Sequence, residues 1–304
     1  MHKVDLSERD SSAQLSFYVL LKKRYGQKQD LFDNYWSDVH GPVCARLPGQ
    51  YQYWQFHLDH NKGGLWPQVE GVQYNSNDAD QFDGIAELTF TSEKDRDDWF
   101  SAAAILMSDE HNIFSRAVGY VTKDGNAKTY VDINENGSPN GLEGGPRFQM
   151  TLQKADNASV DAFRSYINES FVPAALESEA VTKLRVHLLE PHDNSDDLPP
   201  AAGVDHFEPE NKQYQAAIEI AFKDYLAMET FFASKEYQAA VVGQANFVQR
   251  VNAFPVRDIF TFVYDGEMTL SGQRGASTAS LIEQIGATNQ LQEDITQLMI
   301  KGSV

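Results

Sequence analysis

Two copies of one pattern lie along this chain, and that duplication limits its fold more than any single motif does. Sliding the sequence by 131 residues puts SFYVLLKK (16–23) on RFQMTLQK (147–154), with Phe17 on Phe148, Leu21 on Leu152 and Lys23 on Lys154. At the same offset FDNYWSDVHGPV (32–43) lies on FRSYINESFVPA (163–174), pairing Phe32 with Phe163, Tyr35 with Tyr166, Asp38 with Glu169 and Pro42 with Pro173. An offset of 130 places QFHLD (55–59) on RVHLL (185–189), so that His57 meets His187. At 132, IAELTF (85–90) falls on AIEIAF (217–222) and Trp99–Phe100 on Phe231–Phe232. Four blocks in one order mark a tandem repeat.

Each copy reads as strand, helix, strand, strand, helix, strand. The strands are expected near 15–23, 50–58, 84–91 and 115–122, and again near 147–154, 181–189, 215–222 and 247–254. In the first helix, over 30–40, Phe32, Tyr35, Trp36 and Val39 recur at helical spacing. Gly41–Pro42 is expected to stop it, because the proline ring disfavours α geometry in the residue before it. The partner helices are expected over 94–107, 159–170 and 224–241. The order βαββαβ is that of a ferredoxin-like unit, whose sheet carries helices on one face only. The bare faces must be covered, and each copy can cover the other. The expected fold is therefore α+β: two ferredoxin-like repeats, 1–140 and 141–270, joined by the turn-forming NENGSPNGLEGGP (134–146), with a C-terminal extension over 271–304. A further strand is expected over 258–270, then a helix near 278–300 whose apolar stripe must dock on the body or on a second chain. The loops 59–83 and 190–213 hold the same place in each repeat and are expected to cover barrel openings or partner surfaces.

Composition removes several classes of function. Among 304 residues, 44 acidic side chains against 25 basic ones give a net charge of −19, which repels nucleic acid and anionic membranes alike. Cys44 is the sole cysteine, so no intrachain disulfide or multi-cysteine metal site forms. The polar start MHKVDLSERDSSAQ has no apolar core of a signal peptide, and the longest apolar run, Ala102–Met107, is far short of a membrane span. A cytoplasmic protein is expected.

Residues 32–48, FDNYWSDVHGPVCARLP, resemble the hallmark of the EthD family: an aromatic residue, Tyr-Trp, a short spacer, His, and a proline-containing stretch. The resemblance implies a dimeric α+β barrel, here with both units in one chain. It also implies action on a small hydrophobic, aromatic or polyketide-like molecule, by dehydration, decarboxylation, cyclisation or oxygenation. No cofactor or metal is expected, with haem as the alternative group. Two other readings stay open, a non-catalytic accessory barrel that binds a ligand and a haem-binding relative. A homodimer through the C-terminal helix or the barrel surface is the expected chain-to-chain contact.

The second copy acts as an internal control on the site. It keeps Phe163, Tyr166 and Pro173 but carries Ile167 where the first has Trp36 and Phe171 where the first has His40. A histidine at a position that accepts phenylalanine sits in apolar surroundings and needs a partner or a ligand. His40 is the expected acid–base residue, placed at a helix end that favours its protonated form, which an apolar pocket would oppose. Tyr35, Trp36, Trp54 and His57 are the expected substrate-binding residues, although strand alternation turns Trp54 and His57 to opposite faces. Asp38, kept as Glu169, and Cys44, matched by Ala175, read as structural.

Overall fold

Ten strands build the protein in the computed structural model, which describes residues 12–13, 15–74, 76–133, 138–141, 144–195 and 201–302. They are β1 (Leu15–Lys23), β2 (Gln50–Leu58), β3 (Gly84–Phe90), β4 (Phe114–Asp132), β5 (Asn140–Gly141), β6 (Arg147–Lys154), β7 (Val181–Leu189), β8 (Ala216–Phe222), β9 (Val248–Tyr264) and β10 (Glu267–Met268). The first half is ordered β2-β3-β1-β4 and the second β7-β8-β6-β9, the same order one repeat later. Most of the N-terminal segment read for a signal peptide, part of the linker and residues 196–200 lie outside the described residues.

The sheet closes because two strands outrun their repeats. β4 pairs with β1 through Phe114–Val121 and then with β7 through Thr122–Asp132. β9 pairs with β6 through Val248–Pro255 and then with β2 through Val256–Val263. Eight antiparallel strands thus form one closed barrel, which removes every sheet edge at the seam. The segment 258–270 is consequently not a separate strand. Its first part extends β9, β10 folds back on it, and a short helix, Leu270–Arg274, follows.

Alternation along the strands sorts side chains between an interior and two outer faces. Tyr18, Leu20, Trp54, Phe56, Ile85, Val118, Tyr120 and Phe254 fill the interior. A fully buried polar set lies among them. Glu87 accepts from Arg185 Nε at 2.7 Å and pairs with His187 Nε2 at 2.8 Å, and Arg147 pairs with Glu219. Burial alone would raise the Glu87 carboxyl, but Arg185 and His187 hold it far below the usual range. Outside the barrel, each repeat packs its helices on its own half of the sheet, giving two further cores.

Strand register corrects the pairing of two histidines. His57 is opposite Gly84 and His187 opposite Ala217, and Ile85 is the counterpart of Ala217 at an offset of 132. His57 therefore matches Leu188, and His187 matches Phe56. A slip of one residue moves a side chain through the sheet, so His57 faces the helices while His187 faces the barrel interior.

The first helix runs past Gly41–Pro42. Gln29–Tyr35 is α-helical, Trp36–His40 forms a π turn, and Gly41–Cys44 resumes the α path. The second repeat does the same through Val160–Tyr166, Ile167–Phe171 and Val172–Glu177, around Pro173. Proline has no N–H to give to an α turn, and the wider turn before it removes the clash between its ring and the preceding carbonyl. His40 accordingly sits inside a continuous helical segment and gains no helix terminus. The C-terminal segment is broken as well. Ala276–Ile285 stops at Gly286, whose φ of +71° suits glycine, and Glu293–Lys301 forms a second helix.

Candidate functional site

In the first repeat the helices do not seal completely against the sheet. A cavity of about 90 Å³ remains, walled by Phe17, Leu21, Trp36, Leu88, Trp99 and Phe114, with His40, Glu110 and His206 among its polar members. Water occupies about 30 Å³ in the liquid, so this is room for about three waters, and an aromatic ring would have to displace flexible rim groups such as Met107.

The local sequence explains why Trp36 and His40 share this wall. They are four residues apart and span the π turn, which brings both onto the sheet side, where each is almost fully buried. Trp36 lies flat on Gly84 of β3, where any Cβ would collide with the indole. Its other neighbour is His57, stacked at a centroid distance of 4.6 Å. His57 Nδ1 meets Asp33 Oδ1 at 2.8 Å, and Arg257 holds the same carboxylate. Burial lowers the pKa of His57 and outweighs the hydrogen bond that it donates to Asp33, so the ring is a neutral support for Trp36.

His40 is tied to an acid on the helix Ala104–Ile113. Its Nδ1 lies 3.0 Å from Asp109 Oδ2, while Tyr35 donates to Asp109 Oδ1 at 2.7 Å and Asn112 donates at 3.1 Å. The bond with His40 comes first among the causes that keep the Asp109 carboxyl well below its ordinary value, against the opposing effect of burial. The Tyr35 phenol, donating to that carboxylate, is pushed up to about 12. An ionised Asp109 accepts a hydrogen bond from Nδ1–H, which assigns the tautomer with the lone pair on Nε2. A carboxylate that orients an imidazole in this way leaves the other ring nitrogen free to face the cavity.

Glu110 was not among the residues expected from the sequence. Its side chain is 12% exposed, and its Oε2 is buried with no hydrogen-bond partner, 4.0 Å from His206 Nε2. Burial, then the charge of Asp109, pushes its carboxyl up to about 7. A signal was present. Glu110 follows Leu106 and Met107 at spacings of four and three and precedes Ile113 by three, so it sits on the apolar face of its helix. Its counterpart at an offset of 131 is Val241.

His206 comes from the other half. Residues Asp205–His206 run beside β4, with Asp205 bridging Arg116 and His206 Nδ1 donating to the Ala117 carbonyl at 2.9 Å. The loop 59–83 makes the reciprocal crossing: Gln73 bridges Arg250 on β9, and Trp66 and Tyr74 are buried in the core of the second repeat. Each loop covers the helix–sheet cleft of the opposite repeat.

The expected residues divide as follows. His40 and Trp36 line the cavity, Tyr35 holds Asp109 beside it, and His57 supports Trp36 from behind. Trp54 is on the opposite face of β2, in the barrel interior, with Arg185 over its ring at 5.9 Å. Cys44 lines the cavity, but burial pushes its thiol far up, which leaves no thiolate. Asp38 accepts from the Ser277 amide and hydroxyl at 2.8 and 2.7 Å and is structural. Among the described residues no group of three or more His, Cys, Asp or Glu converges on a metal position, and no helix is long and apolar enough to cross a membrane.

A closed eight-stranded antiparallel barrel with outer helices and a cavity under one helix pair defines an α+β barrel protein. The family model of the EthD domain matches the chain twice, over residues 24–117 and 155–250, and the chain belongs to that family. No curated protein matches it. Among solved structures it is similar to a "Putative monooxygenase" from Fusobacterium nucleatum subsp. nucleatum, at 7% identity and a TM-score of 0.51 over 85% of this chain and 98% of that one. An anthrone oxidase-like protein aligns at 10% identity over 82% of this chain and 92% of that one, with a TM-score of 0.49. A chlorite dismutase from Candidatus Nitrospira defluvii aligns at 10% identity over 90% and 99%, with a TM-score of 0.39. At these identities the first likeness shows the fold alone.

Proposed function

We propose that the protein is an enzyme that moves a proton on a small, largely apolar molecule in the cavity of the first repeat, with His40 as the base. One observation carries this reading: the His40–Asp109 pair opens on an apolar cavity in one repeat, while the other has Phe171 in the place of His40. The reading treats each half as a ferredoxin-like unit, a view supported by the shared strand order. Trp36 and the other aromatic walls would hold the ring of an aromatic or polyketide-like substrate. Asp109 keeps the imidazole in its basic tautomer, and Tyr35 keeps Asp109 in place.

The cavity does not fit a haem. Its volume is a small fraction of a porphyrin's. No step is routed through such a group.

The test is deuterium exchange from D₂O into 2-indanone, an aromatic ketone with acidic C–H bonds, followed by ¹H NMR. His40→Phe copies the side chain of the second repeat, so it should fold with little loss of stability. Its catalysed exchange should fall on the order of 10²–10⁴-fold. A folded variant that keeps the full rate removes His40 from the chemistry.

A further inference from the structure

Glu110 is a second polar group in the cavity for which the scaffold has no use. It makes no ion pair with Lys or Arg, its Oε2 has no hydrogen-bond partner, and it is the single carboxyl in the cavity wall among the described residues. The groups around it are few. His206 Nε2 at 4.0 Å already accepts from the Ala201 amide at 3.1 Å, and burial lowers the pKa of that ring, so it brings no cation. Asp109 is adjacent in sequence but turned to His40 and Tyr35. Cys44 and Tyr53 line the same space as neutral groups, both pushed up by burial. Arg116 on β4 is engaged by Asp205 and Glu208.

Resting on the reading of this cavity as the reaction site, we propose that Glu110 is a catalytic acid. It would donate its proton to the carbonyl oxygen of a neutral, enolisable aromatic ketone while His40 removes a proton from the carbon beside it. The cavity wall selects this class of substrate. Its aromatic and aliphatic surfaces take an apolar body, and with no Lys or Arg among them a carboxylate or phosphate on the ligand would go unpaired. A protonated carboxyl with no acceptor calls for an acceptor oxygen on the ligand, and a basic imidazole nitrogen calls for an acidic C–H.

The step balances without an added reactant. The C–H proton passes to His40 Nε2, and the bonding pair becomes the new C=C bond. The carbonyl π pair moves onto oxygen, which takes the Glu110 proton. The ketone becomes its enol, His40 becomes an imidazolium against Asp109, and Glu110 becomes a carboxylate. Reversal returns a solvent-exchanged hydrogen to carbon. Neither half-step leaves an uncompensated charge on the substrate inside the apolar cavity, which a base alone would do by forming a bare enolate.

The experiment uses 2-indanone with the full-length protein, Glu110→Gln and His40→Phe. Exchange reads the chemistry, and quenching of tryptophan fluorescence reads binding next to Trp36 and Trp99. Wild-type exchange should decline above about pH 7, where the Glu110 carboxyl loses its proton. Glu110→Gln should lose 10²-fold or more in kcat with KM within about threefold, and that high-pH decline should vanish. Should Glu110→Gln keep the wild-type rate and decline while His40→Phe is inactive, the acid role of Glu110 falls and the reading of His40 stands. A wild-type protein that binds 2-indanone but exchanges it no faster than solvent overturns proton transfer at the site altogether. Failure to bind overturns the proposed substrate class. If the Gln variant does not fold, infrared titration of the wild type decides: a protonated-carboxyl band that shifts on adding 2-indanone and disappears above about pH 7 supports the proposal, and its absence refutes it.

Discussion

The two helix–sheet clefts are built on one plan and finished in opposite ways. In the first repeat a carboxylate, Asp109, bridges Tyr35 and His40, and a cavity remains in front of them. In the second a neutral amide, Gln244, does the bridging: it accepts from Tyr74 at 2.6 Å and donates to the counterpart of Tyr35, Tyr166, at 2.9 Å. The loops complete the contrast. One brings His206 to the first cleft. The other brings Tyr74, its counterpart at an offset of 132, and Trp66, which packs edge-on against Phe148 at 5.7 Å and Phe232 at 4.8 Å. Where the second cleft has Phe171, Val241 and a tryptophan plug, the first has an imidazole, a carboxyl and open space. The scaffold thus tolerates a dry, uncharged filling, and the polar groups of the first cleft are additions to it. Charged and unpartnered groups that a fold does not need are the expected mark of a working site.

Removing the plug tests this comparison most severely. Trp66→Ala should cost about 3–5 kcal/mol in urea unfolding, because it leaves a large hole in a close-packed core. Exchange catalysed by the first repeat should be unchanged below the unfolding transition. A loss of activity that exceeds the unfolded fraction would show that the clefts are coupled. Phe171→His makes the opposite move and carries the imidazole into the second cleft. There the positions matching Asp109 and Glu110 are Ala240 and Val241, and Gln244 is already committed to two phenols. An unpaired buried imidazole should destabilise by about 1–3 kcal/mol and add no second exchange activity. Added activity would mean that the acids are dispensable.

How far the sequence revealed this contrast follows from geometry. The repeat, the strand order it implied and the swap of His40 for Phe171 were legible because core residues recur at a near-constant offset. Pairing His57 with His187 failed because identity was followed over register, and a one-residue slip crosses the sheet. β9 was read as two strands because its two parts serve different halves, a feature of barrel closure with no local signature. Glu110 was visible as a carboxyl on an apolar stripe. His206 was not, since only the tertiary crossing of the loops brings residue 206 to the wall that holds residue 40.

The pH dependence of stability gives a smaller effect with a defined sign. Glu110 binds its proton more tightly in the folded chain, at about 7 against an ordinary value of 4.5. The folded state then carries the extra proton between those values, so stability present below about pH 4.5 is lost as the pH rises to about 7 and is level above that. The shift corresponds to about 3 kcal/mol at most, at 1.36 kcal/mol per unit. Glu110→Gln cannot ionise. Its stability relative to wild type should therefore improve steadily from pH 4.5 to 7 and then stay constant. A difference independent of pH would show that folding leaves the Glu110 carboxyl at its ordinary value, and near pH 7 it would then be no acid.

The weakest expected effect concerns the C-terminal segment, which docks on the repeat that carries the cavity. The amide and hydroxyl of Ser277 both bond to Asp38 on the helical segment of Trp36 and His40, and Arg46 donates to the carbonyls of Gly272 and Gln273. These bonds fasten Ala276–Ile285 by its first turn, while Leu281 and Ile285 stay 60% and 79% exposed. Ser277→Ala removes only the hydroxyl bond, at an exposed position, so the loss should be about 0.5–1 kcal/mol. The π turn of His40 shares that helical segment, and its Asp109 partner comes from a different helix. The exchange rate should therefore change by less than about twofold, within the roughly two- to fivefold that the whole of that energy could produce. A tenfold fall in kcat with unchanged unfolding would instead mean that the C-terminal segment sets the position of His40. Among the described residues the second repeat has no such strap at Glu169, and the difference between the clefts would then include what holds them from outside.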